Sequence, residues 1–208
     1  MITLATPSDA PDRTALAKAV GVLRAGGVVA YPTDTLYGLA VDPQRSDAAE
    51  RLYAAKGRDP SVAVPLIASS IEQAQMVALF GERELRLARG FWPGPLTIVM
   101  PARPVISTSI LGGGTTVALR VPSHAVARAL CEAFGFPLTA TSANRSGHPP
   151  AASAADVVTS LATGVDLLID AGPVKGGPPS TIVEIEASGA RLVRSGAVPW
   201  ERVLESLE

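Results

Sequence analysis

Hydroxyl, amide and cationic side chains recur where the apolar runs of this 208-residue sequence end. Thr33, Asp34 and Thr35 follow the apolar run at 28–31, and Lys56 and Arg58 flank a glycine. Similar groups accompany later apolar runs: Thr116, Arg120, Ser142, Asn144, Ser180, Thr181 and Arg194. If the strands share one sheet, many of these ends meet at one rim and form a pocket rich in donors and poor in acids.

A pocket of this composition suits a polyphosphate. Lysine and arginine offset the charge of the phosphates, while hydroxyls and amides donate hydrogen bonds to their oxygens. When the attacking group is already an anion, nucleotidyl transfer needs positioning, charge stabilisation and Mg²⁺ rather than a protein base. The small number of histidines and cysteines, two and one, is therefore compatible with enzyme chemistry.

Composition and motifs argue against several other kinds of site. Neither His124 nor His148 has a further ligand residue at the spacing of a zinc site. No serine lies in a G-x-S-x-G elbow, and neither the P-loop pattern nor G-x-G-x-x-G occurs. A net charge of −1 argues against a protein that mainly binds nucleic-acid backbones.

Hydrophobic periodicity divides the sequence into helices and strands. Helices are predicted at 12–25, 46–57, 70–79, 82–90, 123–134 and 153–161, with a short helix near the C-terminus. Strands are predicted at 28–32, 64–69, 96–100, 115–121, 137–142, 166–171, 180–186 and 191–196. Asp12 or Thr14 is expected to cap the first helix and Ser46 the second. Because strands alternate with helices early and cluster late, we expect one α/β domain over residues 1–208 with a mixed parallel and antiparallel sheet.

The sequence also indicates a cellular compartment. It has no apolar run of about 18 residues, and its N-terminus carries acidic residues where a signal peptide has basic ones. Cys131 has no cysteine partner and lies in a predicted amphipathic helix, so we expect it to pack in the core. These features favour a cytoplasmic protein with no membrane partner.

Taken in order, the motifs resemble those of the threonylcarbamoyl-AMP synthases, which are built on the YrdC-like domain. The matching segments are PTDTLYGL, the Lys56-x-Arg58 pair, WPGPLT, TTVALRVPSH, TSANRSG with its Ser142-x-Asn144 pair, STIVE and RSG. They occur in the family's order and extend from about Ala15 to Ala197. The resemblance implies a single twisted domain with a mixed sheet, flanking helices and a large concave groove.

The resemblance implies an L-threonylcarbamoyladenylate synthase, which is a nucleotidyltransferase. Such an enzyme condenses L-threonine, bicarbonate or CO₂, and ATP, which is used with Mg²⁺, and it releases pyrophosphate. Its product serves the threonylcarbamoyladenosine modification of tRNA through a downstream threonylcarbamoyl-transferase complex.

Two alternatives share this fold. The first is an RNA-binding module, which the 4% aromatic content and the lack of a basic excess argue against. The second is the carbamoyl-transfer domain of larger hydrogenase-maturation proteins, where acylphosphatase-like and zinc-finger segments are expected in addition.

The resemblance assigns roles to individual residues. Thr33, Arg120 and Ser180 are expected to hold threonine, with Arg120 taking its carboxylate, and Thr116 and Ala140 are expected where the two ligands meet. The residues expected to face ATP are Lys56, Arg58, Thr116, Ser142, Asn144 and Arg194. Lys56 and Arg58 are the expected catalytic residues, and no protein ligands to a metal are expected.

Some of these residues have other interpretations. Arg120 interrupts an apolar run and needs an anionic partner, which is either a ligand or an internal carboxylate. Thr33 and its neighbours are also typical of a turn and helix cap. The sequence departs from the family pattern at Val64, Ala68 and Pro150, where relatives often have Asn, His and Ser, so the contacts of those side chains do not carry over.

Overall fold

The chain folds into two mixed β-sheets with helices packed against them. The computed structural model describes residues 1–161, 163–186 and 189–208. Its strands are β1 (Ile2–Ala5), β2 (Val29–Pro32), β3 (Tyr37–Ala40), β4 (Leu66–Ile67), β5 (Leu96–Pro101), β6 (Thr116–Arg120), β7 (Leu138–Thr139), β8 (Thr141–Ser142), β9 (Leu167–Asp170), β10 (Thr181–Glu186) and β11 (Gly189–Arg194). Its helices are α1 (Arg13–Arg24), α2 (Ser46–Lys56), α3 (Ile71–Ala74), α4 (Glu82–Phe91), α5 (Ala125–Phe134), α6 (Ala154–Ser160) and α7 (Trp200–Glu205).

The first sheet has the strand order β1-β9-β2-β3-β8 in the described residues. β9 runs parallel to β1 and β2, whereas β3 runs antiparallel to β2 and β8. β2 and β3 form a hairpin in which Pro32 pairs with Tyr37, so residues 33–36 make the turn. Every residue of these two strands is buried. The hydroxyl-rich turn is therefore held at the end of a buried hairpin.

The second sheet has the order β11-β10-β5-β6-β4-β7 in the same residues. β10 is parallel to β5 and β4 to β6, while β5–β6, β10–β11 and β4–β7 are antiparallel pairs. The predicted mixture of parallel and antiparallel pairing is thus confirmed. The strands are divided between two sheets, however, so the polar strand ends do not share the rim of one sheet.

Ala140 marks the crossing of the chain from one sheet to the other. The sequence predicts one strand over 137–142, but β7 pairs with β4 in the second sheet and β8 pairs with β3 in the first. The backbone N–H of Ala140 donates to the Pro65 carbonyl oxygen at 2.8 Å, which fixes the crossing. The crossing carries Ser142 and Asn144 away from one sheet and toward the hairpin of the other.

Apolar packing joins the two sheets. One core cluster contains Leu39 of β3, Leu66 of β4 and Ile98 of β5, all fully buried, and so includes side chains from both sheets. A second cluster packs Leu23 of α1 and Leu130 of α5 together with strand residues of the first sheet. Burying each such side chain contributes about 1.5–3 kcal/mol, so this core holds the sheets in a fixed relation.

Most predicted helices are confirmed, with shifted ends. Asp12 caps α1 and accepts from the Ala15 N–H at 2.7 Å. The prediction that Ser46 caps α2 is wrong, because Ser46 is the first helical residue and Arg45 precedes it without a side-chain cap bond. The helix predicted at 70–79 is helical only in α3, since the following residues form turns. None of the helices in the described residues has the length and apolar character needed to cross a membrane.

Candidate active site

Residues of both sheets line a groove of about 690 Å³. The walls come from the turn after β2, from the segment 63–67, from β5, β6, β10 and β11, and from the loop after β8. The predicted site residues that line it are Thr33, Arg58, Thr116, Arg120, Ala140, Ser142, Asn144, Ser180 and Arg194. Lys56 does not line the groove and is buried beside it, with 3% of its surface exposed.

Thr33 closes the turn that joins β2 to β3. Its Oγ1 donates to the Leu36 carbonyl oxygen at 2.7 Å and accepts from the N–H groups of Thr35 and Leu36, each at 3.3 Å. This is the turn role that threonine commonly has. Because Thr33 also lines the groove, the turn residues form part of the groove wall.

Arg120 ends β6 and pairs with an internal carboxylate. Its Nη1 donates to Asp34 Oδ2 at 3.1 Å, and the two side chains are only 9% and 14% exposed. The internal partner expected as one alternative therefore exists. A guanidinium carries five N–H donors, and Arg120 makes no other side-chain hydrogen bond within the described residues. Arg120 lines the groove with donors still available for an anion.

Lys56 supports the loop after β8 from behind. Its Nζ donates to the carbonyl oxygens of Ser142 and Asn144, the latter at 2.8 Å. Gly57, the residue after Lys56, has φ of 57°, in the left-handed region, and ends α2 there. Burial and, to a lesser degree, the charge of Arg58 lower the pKa of Lys56 to about 8. The lysine of the Lys-x-Arg pair thus holds the Ser-x-Asn loop through its backbone.

Arg58 reaches the groove from the same turn. Its Nη1 donates to Thr141 Oγ1 at 3.1 Å and its Nη2 to the Ala63 carbonyl oxygen at 2.9 Å. These contacts connect the loop after α2 with β8 and with the segment where the sequence departs from the family pattern. Burial lowers the pKa of Arg58 from its ordinary value, but a guanidinium remains charged at neutral pH.

Asn144 presents an acceptor oxygen without a partner. Its Nδ2 donates to the carbonyl oxygens of Arg145 and His148 at 2.8 and 2.7 Å, so both amide protons are engaged. Its Oδ1 is buried and accepts no hydrogen bond within the described residues. A buried acceptor left unpaired costs about 1–3 kcal/mol, which a ligand that donates to it would recover.

Ser180, just before β10, and Arg194, at the end of β11, form a second polar group in the groove. Nε and Nη2 of Arg194 donate to the Ser180 carbonyl oxygen at 3.2 and 2.7 Å, and Nη2 also donates to Ser180 Oγ at 3.1 Å. Burial and the nearby charge of Arg120 lower the pKa of Arg194. Arg194 and Arg120 are thus close enough to repel each other, and an anion between them would relieve that repulsion.

Several groove residues were missed by the sequence prediction. Thr97 ends the WPGPLT segment and lies in β5, but the resemblance assigned no role to its hydroxyl. His148 also lines the groove, although the sequence offered no partner for it. Pro150 lies in the wall as well, so the departure from the family pattern falls within the groove itself.

His124 and Cys131 have structural roles, and for Cys131 the predicted place in the core is confirmed. His124 caps α5 and accepts from the Val126 N–H at 3.3 Å through Nδ1. The predicted start of that helix at Ser123 is therefore two residues early. Cys131 is fully buried, and burial raises the pKa of its thiol, which argues against an activated nucleophile.

The two sheets and the groove, which Arg58, Arg120 and Arg194 line, define an α/β protein with a cationic candidate site. Residues 21–196 match the model of the Sua5/YciO/YrdC family, which carries the description telomere recombination. Since the match covers most of the chain, the protein belongs to this family.

Named relatives extend this comparison. The chain is 42% identical over 187 residues to the threonylcarbamoyl-AMP synthase of Alkalilimnicola ehrlichii, covering 88% of this chain and 97% of that one. It is 37% identical over 186 residues to the threonylcarbamoyl-AMP synthase of Pyrococcus abyssi, covering 89% of this chain and 55% of that protein. The present chain thus spans about half the length of the P. abyssi relative and nearly all of the A. ehrlichii one.

A solved structure has the same fold. The crystal structure of P. abyssi Sua5 complexed with L-threonine superposes with a TM-score of 0.94 and 34% sequence identity. The match covers 100% of this chain and 61% of that one. The family and the fold expected from the motifs are therefore confirmed.

Proposed function

We propose that this protein is an L-threonylcarbamoyladenylate synthase, a nucleotidyltransferase that joins L-threonine, bicarbonate or CO₂, and ATP with release of pyrophosphate. The observation that carries the proposal is the convergence of Arg120, Ser180 and Arg58 in one groove. The groove volume of about 690 Å³ lies within the range of about 300–1,000 Å³ typical of ligand sites. Relatives that bear this activity in their names, and a relative bound to L-threonine, support the proposal.

The threonine end of the groove is assigned to the wall formed by Arg120, Ser180 and Thr33. Arg120 has free N–H groups to take the carboxylate, and bidentate pairing makes arginine well suited to that task. Ala140, at the crossing between the sheets, leaves room beside this wall, and Thr116 lies at the start of β6, the strand that Arg120 ends.

The ATP end is assigned to the loops that carry Arg58, Ser142 and Asn144, with Arg194 facing them from β11. Arg58 and Arg194 offset phosphate charge, and the Ser142 hydroxyl donates to a phosphate oxygen. Lys56 acts through the loop that it holds, because its ammonium contacts the backbone of Ser142 and Asn144. Its contribution to catalysis is thus to keep those two residues in place.

The reaction requires little proton chemistry from these groups. The amino group of threonine combines with bicarbonate to form a carbamate, with loss of water and of a proton to solvent, and this carbamate is already an anion when it attacks. One carbamate oxygen forms a bond to the α-phosphorus of ATP, and the bond from that phosphorus to the bridging oxygen breaks, so pyrophosphate leaves with the electron pair. Fixed cations and donors stabilise the charge that develops, which is commonly the largest contribution to catalysis in such sites.

Mg²⁺ is the expected companion of ATP, and the groove fits a metal carried by the nucleotide. The described residues contain no cluster of three or more His, Cys, Asp or Glu that would hold an ion by themselves. Mg²⁺ usually takes most of its ligands from phosphates and water, and Asn144 Oδ1 is a buried oxygen available to complete the set. When bound, the metal offsets the charge of the leaving pyrophosphate.

The product is a reactive mixed anhydride that a second enzyme must consume. We assign it to a downstream threonylcarbamoyl-transferase complex that modifies tRNA, and we place the reaction in the cytoplasm.

The proposal is tested by pyrophosphate release, with each substrate withheld in turn. Release is expected only when ATP, Mg²⁺, threonine and bicarbonate are all present, because without bicarbonate there is no carbamate to attack. Release from ATP in the absence of threonine would contradict the proposal. RNA binding without any turnover would instead favour the RNA-binding alternative.

A further inference from the structure

We propose that Thr97 is a positioning residue that makes the Ser180 hydroxyl a hydrogen-bond donor toward the carboxylate of threonine. The inference rests on the proposed function, in which Ser180 contacts threonine. It concerns a side chain that the motif-based assignment leaves without a role.

Sheet pairing brings the two hydroxyls together. β5 and β10 run in parallel, with Thr97 opposite Ile182, and Ser180 lies two residues before Ile182, directly ahead of β10. Thr97 Oγ1 donates to Ser180 Oγ at 2.8 Å. The two residues are 3% and 9% exposed, and both line the groove. Since the bond is buried, water does not readily replace it, and the choice of donor and acceptor determines which hydrogen bonds Ser180 can still make.

Arg194 occupies the other acceptor position of Ser180. Its Nη2 donates to Ser180 Oγ at 3.1 Å while also holding the Ser180 carbonyl oxygen at 2.7 Å. A serine hydroxyl has two acceptor lone pairs and one proton to donate. With Thr97 and Arg194 both donating to it, Ser180 Oγ has only its own proton left for a further bond.

That proton has no acceptor within the described residues. The hydrogen bonds of Ser180 Oγ there are those received from Thr97 and Arg194. The groove is the open direction, because Ser180 lines it. Arg120 and Ser180 therefore both offer donors and no acceptors to the ligand, a pattern that selects a carboxylate over an ammonium group.

A valine in place of Thr97 would keep the shape but remove the donor. Ser180 Oγ would then have a free lone pair, and its hydroxyl would no longer be held in one orientation. If Thr97 only fills space, valine should serve equally well, since its volume and branching match those of threonine. If Thr97 sets the direction of the Ser180 hydroxyl, the change should appear in threonine affinity and should depend on Ser180.

The experiment is a double-mutant cycle read by calorimetric titration of L-threonine into the full chain. Thr97→Val is expected to weaken threonine binding about tenfold, within the range for a typical hydrogen bond. Thr97→Ser, which keeps the donor, should bind threonine as the wild type does. In the Ser180→Ala background, Thr97→Val should have no further effect on affinity. In steady-state pyrophosphate release, the KM for threonine should rise with little change in kcat.

A matched control separates positioning from general destabilisation. Thr6 is buried, lies outside the groove, and accepts from the Asp12 N–H at 2.6 Å. Thr6→Val should lower the melting temperature without changing threonine affinity. Equal affinities of the wild type and Thr97→Val, or a full additional loss from Thr97→Val on top of Ser180→Ala, would overturn the inference alone. Failure of the wild type to bind threonine would overturn the proposed function and the inference with it.

Discussion

Arg120 and Asp34 form an ion pair in the groove wall, with Nη1 donating to Oδ2 at 3.1 Å. The pair joins the end of β6 to the turn after β2, and so ties the second sheet to the first. Asp34 Oδ1 is buried and has no hydrogen-bond partner within the described residues. The carboxylate thus engages one N–H of the guanidinium, and the others have no partner among the described residues. The internal pair and a ligand contact are therefore compatible roles for Arg120.

Arg120→Ala should weaken threonine binding by about 2 kcal/mol or more while leaving ATP binding nearly unchanged, because a charge-assisted pair with the carboxylate is lost. The variant should also unfold at lower temperature, since removing one member of a buried pair leaves Asp34 uncompensated, at a cost of about 3–5 kcal/mol. Calorimetric titration and thermal unfolding measure the two effects. Arg103→Ala is the control, because Arg103 is exposed and donates to the Gln75 carbonyl oxygen outside the groove. Unchanged threonine affinity in folded Arg120→Ala would show that the arginine is structural only.

Lys56 should give the reaction an alkaline limit. The pKa of Lys56 is lowered to about 8, so its ammonium is lost as the pH rises through that value, and its bonds to the loop carbonyls weaken. Turnover should fall across this range in the wild type. The turnover of Lys56→Met should not show this fall with pH. It should be about 10²-fold lower than that of the wild type, which is the scale for a lost charge-stabilising arrangement. Pyrophosphate release measured against pH tests this, with exposed Lys18→Met as the control.

Rising pH should change the contribution of Lys56 to stability in the opposite direction from its effect on turnover. The pKa of Lys56 in the folded protein lies below its ordinary value of 10.5, so between about 8 and 10.5 the unfolded chain binds more protons than the folded one. The contribution of this residue to stability therefore rises with pH in that window. A denaturant titration of wild type and Lys56→Met at both ends of the window measures the difference. If turnover and stability both fell with rising pH, general unfolding would explain the alkaline limit.

Neither histidine should be needed as a base. His124→Ala should lose the cap of α5, at a cost of about 1 kcal/mol in stability, and should keep most of its turnover. His148→Ala removes a groove residue, yet it should change turnover far less than Arg58→Ala, for which about 10²-fold or more is expected. The comparison requires pyrophosphate release per folded molecule for all three variants. Collapse of activity in a well-folded histidine variant would contradict a reaction driven by charge stabilisation alone.

The elements predicted from sequence are those whose apolar faces repeat with a clear period. α1, α4, α5, β5 and β6 belong to this group. β1 and β3 were missed for different reasons. β1 is short, largely exposed and at a sheet edge, so it has no buried alternation. β3 follows a turn of hydroxyl residues, and its pairing depends on the hairpin that this turn creates.

The site was predicted as a set of residues, but not as an arrangement. Of the ten site residues predicted from the motifs, nine line the groove. The position of Lys56 behind the loop depends on carbonyl groups 86 and 88 residues away, which local patterns do not encode. The same holds for Asp34 with Arg120, 86 residues apart, and for the break of the predicted strand at Ala140, which follows from pairing with two different sheets.

The central claim is that this groove joins a carbamate made from threonine and bicarbonate to the adenylate of ATP. The most direct test is to incubate the protein with ATP, Mg²⁺, L-threonine and ¹³C-bicarbonate and to analyse the product by mass spectrometry. The account predicts threonylcarbamoyl-AMP carrying a single ¹³C at the carbamoyl carbon, with an equal amount of pyrophosphate, and a large loss of both with Arg58→Ala. Formation of threonyl-AMP without the labelled carbon, or pyrophosphate release with no adenylated product, would contradict it.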